Sequence, residues 1–168
     1  MAGAGVNRKM KVPVLLDQYL ETMGEARMPV RAHSDDAGWD IFVSVTTTIP
    51  AHGFADVPSG VRMELPNGYW GMLTGRSSTI RLRGLLVIQG IIDTGYRGEL
   101  FSAVWNLTGE DKTVEQGDRI AQLILLPNVT QQTLLIPAES LHTSMRGSNG
   151  FGSSGTGARL GAVGSVGA

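Results

Sequence analysis

The chain has 168 residues, 42% of them apolar, enough for one domain with a sizeable core and too little for two. A formal net charge of −1 provides no overall field toward nucleic acid or an anionic membrane, and the absence of cysteine excludes disulfides and thiolate metal sites. No run approaches the ~20 apolar residues of a membrane span, and Val12-Pro13-Val14-Leu15-Leu16 is too short for a secretory core. The expectation is a soluble, cytoplasmic protein.

Residues 1–11 are small and basic and read as disordered, and residues 12–16 read as a first strand. Residues 17–31 are irregular, with Met28-Pro29 marking an extended entry to the next turn. His33-Ser34-Asp35-Asp36-Ala37-Gly38 is a turn cluster, and residues 39–45 alternate well enough for a strand. Residues 50–58 hold turn signals around Phe54-Ala55-Asp56-Val57. Residues 61–65 alternate apolar and polar, Pro66-Asn67-Gly68 is a turn, and 69–74 form another short strand. Residues 77–83 are the one helical turn, with serines at its start and Gly84 to stop it. Strands at 85–89, 99–106, 119–126 and 131–136 complete the set. Strands and turns alternating every eight to twelve residues or so, without a long amphipathic helix, predict an all-β domain of jelly-roll or barrel topology.

Glycine is dense from Gly147 to Gly167, and beyond Glu139 no acidic residue remains while Arg146 and Arg159 do. Such a terminus is either a plain disordered end or a mobile, cationic, donor-rich arm for an anionic partner.

The centre of interest is Gly90-Ile91-Ile92-Asp93-Thr94-Gly95-Tyr96-Arg97-Gly98-Glu99, where an apolar run delivers one carboxylate into a tight turn. Asp93 either caps that turn or does chemistry. The Ile-Ile-Asp-Thr-Gly string also occurs in aspartic proteases, where two such carboxylates share a proton. That reading needs a small residue after Gly95 and a second glycine-bearing motif. Tyr96-Arg97 follows instead, and no second motif is present.

Arg76-Ser77-Ser78 offers a guanidinium fork, two hydroxyls and the open N–H groups of a helical turn, a set suited to phosphate; the plain alternative is a surface turn. Gln122, between Ile120 and Ile124 on one strand face, is either a rim residue or a ligand contact at a subunit boundary. In the segment 146–155, glycines free successive N–H groups, Arg146, Ser153 and Ser154 add donors, and Phe151 is placed to stack on a base. It is not a Walker loop, because no Lys-Ser/Thr follows the glycines. His33, His52 and His142 lack metal-ligand spacing. Asp35, Asp36 and Asp40 fail the calcium-loop template, since Ala37 and Trp39 occupy ligand positions. No protein-built metal cage is expected, and magnesium would enter with phosphates.

Five strings in order resemble the motifs of the trimeric dUTP diphosphatases: Asp36-Ala37-Gly38-Trp39-Asp40, Gly75-Arg76-Ser77-Ser78, Gly90 through Glu99, Gly117-Asp118-Arg119-Ile120-Ala121-Gln122, and Arg146-Gly147 through Gly150-Phe151-Gly152-Ser153-Ser154-Gly155. The resemblance covers residues 12 to 155. It implies a distorted jelly-roll barrel with a flexible C-terminal arm, in a homotrimer whose three active sites each draw on all three subunits. Residues 12–145 would be the barrel, 146–157 the phosphate-binding arm and 158–168 a disordered tail.

By position, the resemblance makes Asp93 the residue that activates water against the α-phosphate. Tyr96 packs under the deoxyribose and excludes a 2′-hydroxyl. Arg76, Ser77, Ser78 and Gln122 hold phosphates. Arg146, Gly152, Ser153 and Ser154 clamp the polyphosphate, with Phe151 on uracil. Segment 85–90 corresponds to the uracil-reading hairpin, where backbone groups near Gly90 and Ile92 do the reading and Gln89 is the candidate side chain. The implied reaction turns dUTP into dUMP and diphosphate, with Mg2+ on the phosphates rather than on protein. It limits uracil in DNA and supplies dUMP for thymidylate synthesis. Trp39, Ser78 and Gly95 depart from the family's usual residues without removing a catalytic group. Two alternatives stay in view. The related dCTP deaminases carry a catalytic glutamate at the position matching Ala103, and lack a closing arm of this kind. A regulatory binding protein on the same scaffold is the other.

Overall fold

The computed structural model describes residues 12, 14–16, 25–137 and 142–145. The chain divides into two compact units, Met1–Thr133 and Leu134–Ala168, and every regular element among the described residues belongs to the first. In chain order the strands are β1 Val14–Leu16, β2 Trp39–Phe42, β3 Thr47–Ile49, β4 Phe54–Pro58, β5 Val61–Met63 and β6 Tyr69–Gly75. After the helix α1, Ser77–Arg83, come β7 Leu85–Val87, β8 Gly90–Ile92, β9 Phe101–Asn106, β10 Lys112–Val114 and β11 Arg119–Pro127. A 3-10 turn, Thr130–Gln132, comes last.

Every pairing among these strands is antiparallel. The order β2-β11-β6-β8 makes the largest sheet, β4-β9-β7 makes a three-stranded one, and β1-β5 and β3-β10 are two-stranded. The all-β expectation holds. One core draws on most of these strands: Ile41, Ile49, Val57, Val61, Leu73, Leu85, Val104, Val114, Ile120 and Leu123 are all buried in it. Each such side chain contributes about 1.5–3 kcal/mol by leaving water, which is why strands of only three residues persist here.

The helix α1 ends as the sequence suggested. Gly84 adopts φ 68°, and its N–H reaches the Ile80 and Thr79 carbonyls, a left-handed cap that costs glycine least. The helix starts where β11 holds it: the Arg76 N–H and the Thr79 hydroxyl both donate to the Ile120 carbonyl, at 3.1 and 2.6 Å.

Four expectations need correction. The segment 131–136 is not a strand: after the 3-10 turn, residues 133–137 have no regular structure and Leu134, Leu135 and Ile136 are exposed. Its β-favouring composition finds no partner among the described residues, and a strand cannot exist unpaired. Phe54–Pro58, read as turn signals, is instead a full strand against β9, the turn being confined to Pro50–Gly53 where the Gly53 N–H meets the Pro50 carbonyl. β3, β8 and β10 were not foreseen. Finally, a register shift between Arg119 and Ala121 breaks the alternation in β11, so Ile120 and Ala121 are both buried while Gln122 and Ile124 are partly open.

Candidate active site

The residues singled out from the sequence gather in two separate clefts. The first lies where β6 hands over to α1. Asp40 on β2 is buried, and its carboxylate takes the Arg76 Nε at 2.8 Å on one oxygen and the Arg119 Nη1 at 3.2 Å on the other. The Arg76 Nη1 also donates to the Arg119 carbonyl at 3.1 Å, leaving its Nη2 without a partner among the described residues. Gln122 pairs in register with Thr74 on one side and Asp40 on the other, and its amide donates to the Gly75 carbonyl at 3.2 Å. Asp40, Arg76 and Gln122, together with His33, Asp36 and Ser77, line a cleft of about 360 Å³. At the helix start, no side chain caps α1, so the N–H groups of its first turn lack the partner a capping side chain would supply. A half-free guanidinium, backbone N–H groups and hydroxyls make a receptor for an anion. Ser78 is half-buried and does not line this cleft.

Beside it, Asp118 binds Arg83 and accepts the Glu115 N–H at 3.0 Å. The hydrogen bond from Arg83 holds the Asp118 carboxyl below the usual carboxylate range against an opposing cost of burial, and Asp118 in turn raises Arg83. Among the described residues, no group of three or more His, Asp or Glu side chains is placed to hold a metal ion.

The second cleft is built by the turn after β8. The Tyr96 N–H closes this turn on the Asp93 carbonyl at 3.0 Å, and the Thr94 hydroxyl ties it to the Tyr69 carbonyl at 2.6 Å. Arg97 braces it from outside, donating to the Thr94 and Tyr96 carbonyls, both at 2.9 Å, and pairing with Glu64 at 3.2 Å. Turn closure is thus done by backbone, by Thr94 and by Arg97. The Asp93 carboxylate is exposed, and among the described residues no donor reaches it. It is not a turn cap.

Tyr96 folds back so that its hydroxyl donates to the Glu99 carbonyl at 2.8 Å. Only glycine permits this at position 98, because a Cβ there would lie 2.6 Å from the Tyr96 Cζ. Ile91, Ile92, Asp93, Tyr96, Glu99, Leu100 and Phe101 line a cleft of about 290 Å³.

The two clefts share no lining residue. Register explains why: Ile92 pairs with Gly71, so Asp93 lies near the level of Trp70, while Arg76 stands beyond the far end of the same strand. Six extended residues separate those levels by roughly 20 Å. Gln89 is exposed and Gly90 half-buried, and neither lines a cleft. Arg146, Phe151, Gly152, Ser153 and Ser154 lie outside the described residues. The sequence reading missed Asp40 as the anchor of Arg76 and Thr94 as the tie of the Asp93 turn.

Residues 24–155 match the family model described as dUTPase. The chain belongs to the dUTPase family. The deoxyuridine 5′-triphosphate nucleotidohydrolase of Paramecium bursaria Chlorella virus 1 is 38% identical over 130 residues, covering 77% of this chain and 91% of that protein. The enzyme of the same name from Leifsonia xyli is 39% identical over 132 residues, covering 77% and 86%. Among solved structures, the dUTPase of Staphylococcus bacteriophage 80alpha with dUpNHpp superposes with a TM-score of 0.79 at 31% identity, over 88% of this chain and 100% of that one. The family is of all-β jelly-roll architecture, in keeping with the antiparallel sheets of this chain.

Proposed function

We infer that the chain is a dUTP diphosphatase, converting dUTP to dUMP and diphosphate, and that it works as a homotrimer with shared sites. The observation that carries the shared site is the separation of the two clefts: the anion receptor at Arg76 and the free carboxylate at Asp93 lie roughly 20 Å apart along one strand, too far to serve one triphosphate. Membership of the dUTPase family carries the substrate.

In this reading Asp93 takes a proton from a water aligned on the α-phosphorus. The new P–O bond forms as the α–β bridging P–O bond breaks, and diphosphate leaves. A carboxylate without a hydrogen-bond donor of its own is free to orient that water. Tyr96, held by Glu99 and Gly98, presents its ring to the deoxyribose and leaves no room for a 2′-hydroxyl. Backbone groups at Gly90 and Ile92, with Gln89 beside them, read uracil. From a second subunit, Arg76, Ser77, Ser78 and Gln122 grip the phosphates and neutralise developing charge. Arg146, Gly152, Ser153 and Ser154 close from a third, with Phe151 over the base. Magnesium arrives as part of the nucleotide, on its phosphates. A cytoplasmic setting, where nucleotide pools lie, completes the reading.

The test is a diphosphate-release assay over deoxynucleoside and ribonucleoside triphosphates, scored also for ammonia. Turnover of dUTP alone, without ammonia, is expected. Ammonia from dCTP would replace this reading with a deaminase; Ala103, at the matching position, offers no carboxylate for that chemistry.

A further inference from the structure

The support on which Tyr96 rests is itself held from another part of the fold. The Tyr96 hydroxyl donates to the Glu99 carbonyl at 2.8 Å, so the ring is no steadier than the peptide unit joining Glu99 to Leu100. The N–H of that same unit, on Leu100, donates to the Val61 carbonyl at 2.9 Å. One planar group thus bears the tyrosine on one edge and meets β5 on the other.

Both flanks of this peptide are pinned by the turn between β4 and β5. On the near side, the Glu99 carboxylate accepts the Gly60 N–H at 2.7 Å. On the far side, the Leu100 carbonyl accepts the Ser59 hydroxyl at 2.6 Å, and that hydroxyl accepts the Val61 N–H at 3.1 Å. Ser59 and Leu100 are buried, where water competes little for such bonds. Gly60 holds φ 66°, a left-handed conformation that glycine adopts at least cost. Neither Ser59 nor Gly60 lines the Asp93 cleft, whereas Glu99 does. The charge of Glu99 cannot help to hold a polyanion there, since like charges repel. Its reach to Gly60 can steady the ring.

We infer that Glu99 is a positioning residue for sugar selection: its carboxylate, anchored on the Gly60 N–H, fixes the peptide on which the Tyr96 hydroxyl rests. The Ser59-Gly60 turn thereby acts on discrimination against a 2′-hydroxyl from outside the cleft. The inference rests on the reading of Tyr96 as the wall against that hydroxyl. Excluding one hydroxyl is a steric test, and a wall free to rock makes room for it. A misplacement of about 1 Å in a positioning group costs up to about a hundredfold.

The test compares kcat/KM for UTP and dUTP in variants of the full chain. Glu99→Ala removes the acceptor. Glu99→Asp keeps the charge but draws it back from Gly60 by one methylene, and Glu99→Gln keeps an oxygen at full reach without the charge. The first two should each raise the UTP-to-dUTP ratio by at least about threefold, and Glu99→Gln should hold the wild-type ratio. If Glu99→Ala fails to fold, Glu99→Asp and Glu99→Gln still decide. In a Tyr96→Phe background, which keeps the ring and removes its hydroxyl, Glu99→Ala should add nothing further to the ratio. A lowered melting temperature with an unmoved ratio in Glu99→Asp limits Glu99 to stability and overturns the inference. A raised ratio in Glu99→Gln overturns it too, by assigning the effect to charge, as does a full further rise in the Tyr96→Phe background. An unchanged ratio in Tyr96→Ala removes the sugar wall itself, and the role of Glu99 with it. A raised ratio there beside a wild-type ratio in Glu99→Asp removes the role of Glu99 alone.

Discussion

Asp40 and Arg76 are joined by a 2.8 Å ion pair whose carboxylate is buried and whose guanidinium lines the anion-receptive cleft. The carboxylate fixes Nε and leaves the other end of the guanidinium fork toward the opening. With Arg119 on its second oxygen, Asp40 is already neutralised and does not compete for the anion's place. Asp40→Asn should therefore loosen Arg76 while preserving shape. The expected result is a rise in KM for dUTP of about tenfold with a smaller change in kcat, together with a stability loss of about 1–3 kcal/mol from the unpaired guanidinium groups. A lowered melting temperature with unchanged KM would limit Asp40 to a structural role.

The position of the Tyr96 ring depends on two contacts, the hydroxyl on the Glu99 carbonyl and the missing Cβ at Gly98. Tyr96→Ala should raise kcat/KM for UTP relative to dUTP by at least about tenfold in competition assays, because the ring wall is removed. Gly98→Ala should act in the same direction by pushing the ring aside. Unchanged discrimination in both would remove Tyr96 from sugar selection.

The Asp118–Arg83 pair yields a pH prediction with a definite sign. The folded-state pKa of Asp118 is depressed, so its stabilising contribution is present above the unfolded carboxylate value of about 3.9 and is lost as pH falls through the lower folded value. Arg83 is raised further from an already high value and stays charged throughout. Both side chains are partly solvated, at 25% and 40%, so the pair is worth less than about 1 kcal/mol. Asp118→Asn should flatten the acid limb of a urea-unfolding profile between roughly pH 5 and pH 2 and leave neutral stability lower by that small amount. An unchanged acid limb would show the pair contributes nothing.

How much of the molecule was legible in its sequence depended on how each feature is encoded. The α1 turn was readable because Ser77 and Gly84 signal its ends locally. β5 and β7 were readable because one buried residue alternates with one exposed. β3 and β10 have three residues each and only a single buried side chain, too short for a period to emerge. β4 was obscured because Pro50, Gly53 and Pro58 surround it with turn signals, while Phe54 and Asp56 share its exposed face. The Leu134-Leu135-Ile136 run carries strand propensity without a pairing partner among the described residues, and composition alone cannot report that lack. In the site, Asp93, Tyr96, Arg76 and Gln122 could be singled out by type and motif. Asp40's role could not, because Arg119 lies 79 residues away and the contact exists only once β2 and β11 pair.

Residues 146–155 carry Arg146, Ser153, Ser154 and Phe151, the donors and the aromatic that the proposed mechanism needs over the bound nucleotide. Ending the chain after Ser144 should leave a folded, assembled protein by light scattering, because every regular element among the described residues lies before it. Its binding of dUpNHpp should weaken by at least about tenfold and turnover should nearly vanish, as a clamp that neutralises phosphate charge and shuts out water is lost. Normal turnover by the shortened chain would take the arm out of the mechanism.

Subunit mixing tests the division of labour directly. Asp93→Asn keeps the shape of the turn, which is closed by the Tyr96 N–H, Thr94 and Arg97, and removes the base. Its homo-oligomer should lose at least about a hundredfold in kcat while still binding dUpNHpp. Arg76→Gln removes the cationic fork from the other cleft and should cost a comparable factor. If one site takes Asp93 from one chain and Arg76 from another, co-refolding the two variants in equal amounts creates sites with both native groups. Random assembly into a closed ring with like interfaces places a native Asp93 beside a native Arg76 in about a quarter of sites, so about a quarter of wild-type activity should return. If both residues served the same chain's site, every site would carry one lesion and mixing would restore nothing. The measured recovery therefore separates a shared site from a self-contained one, independently of which surface holds the copies together.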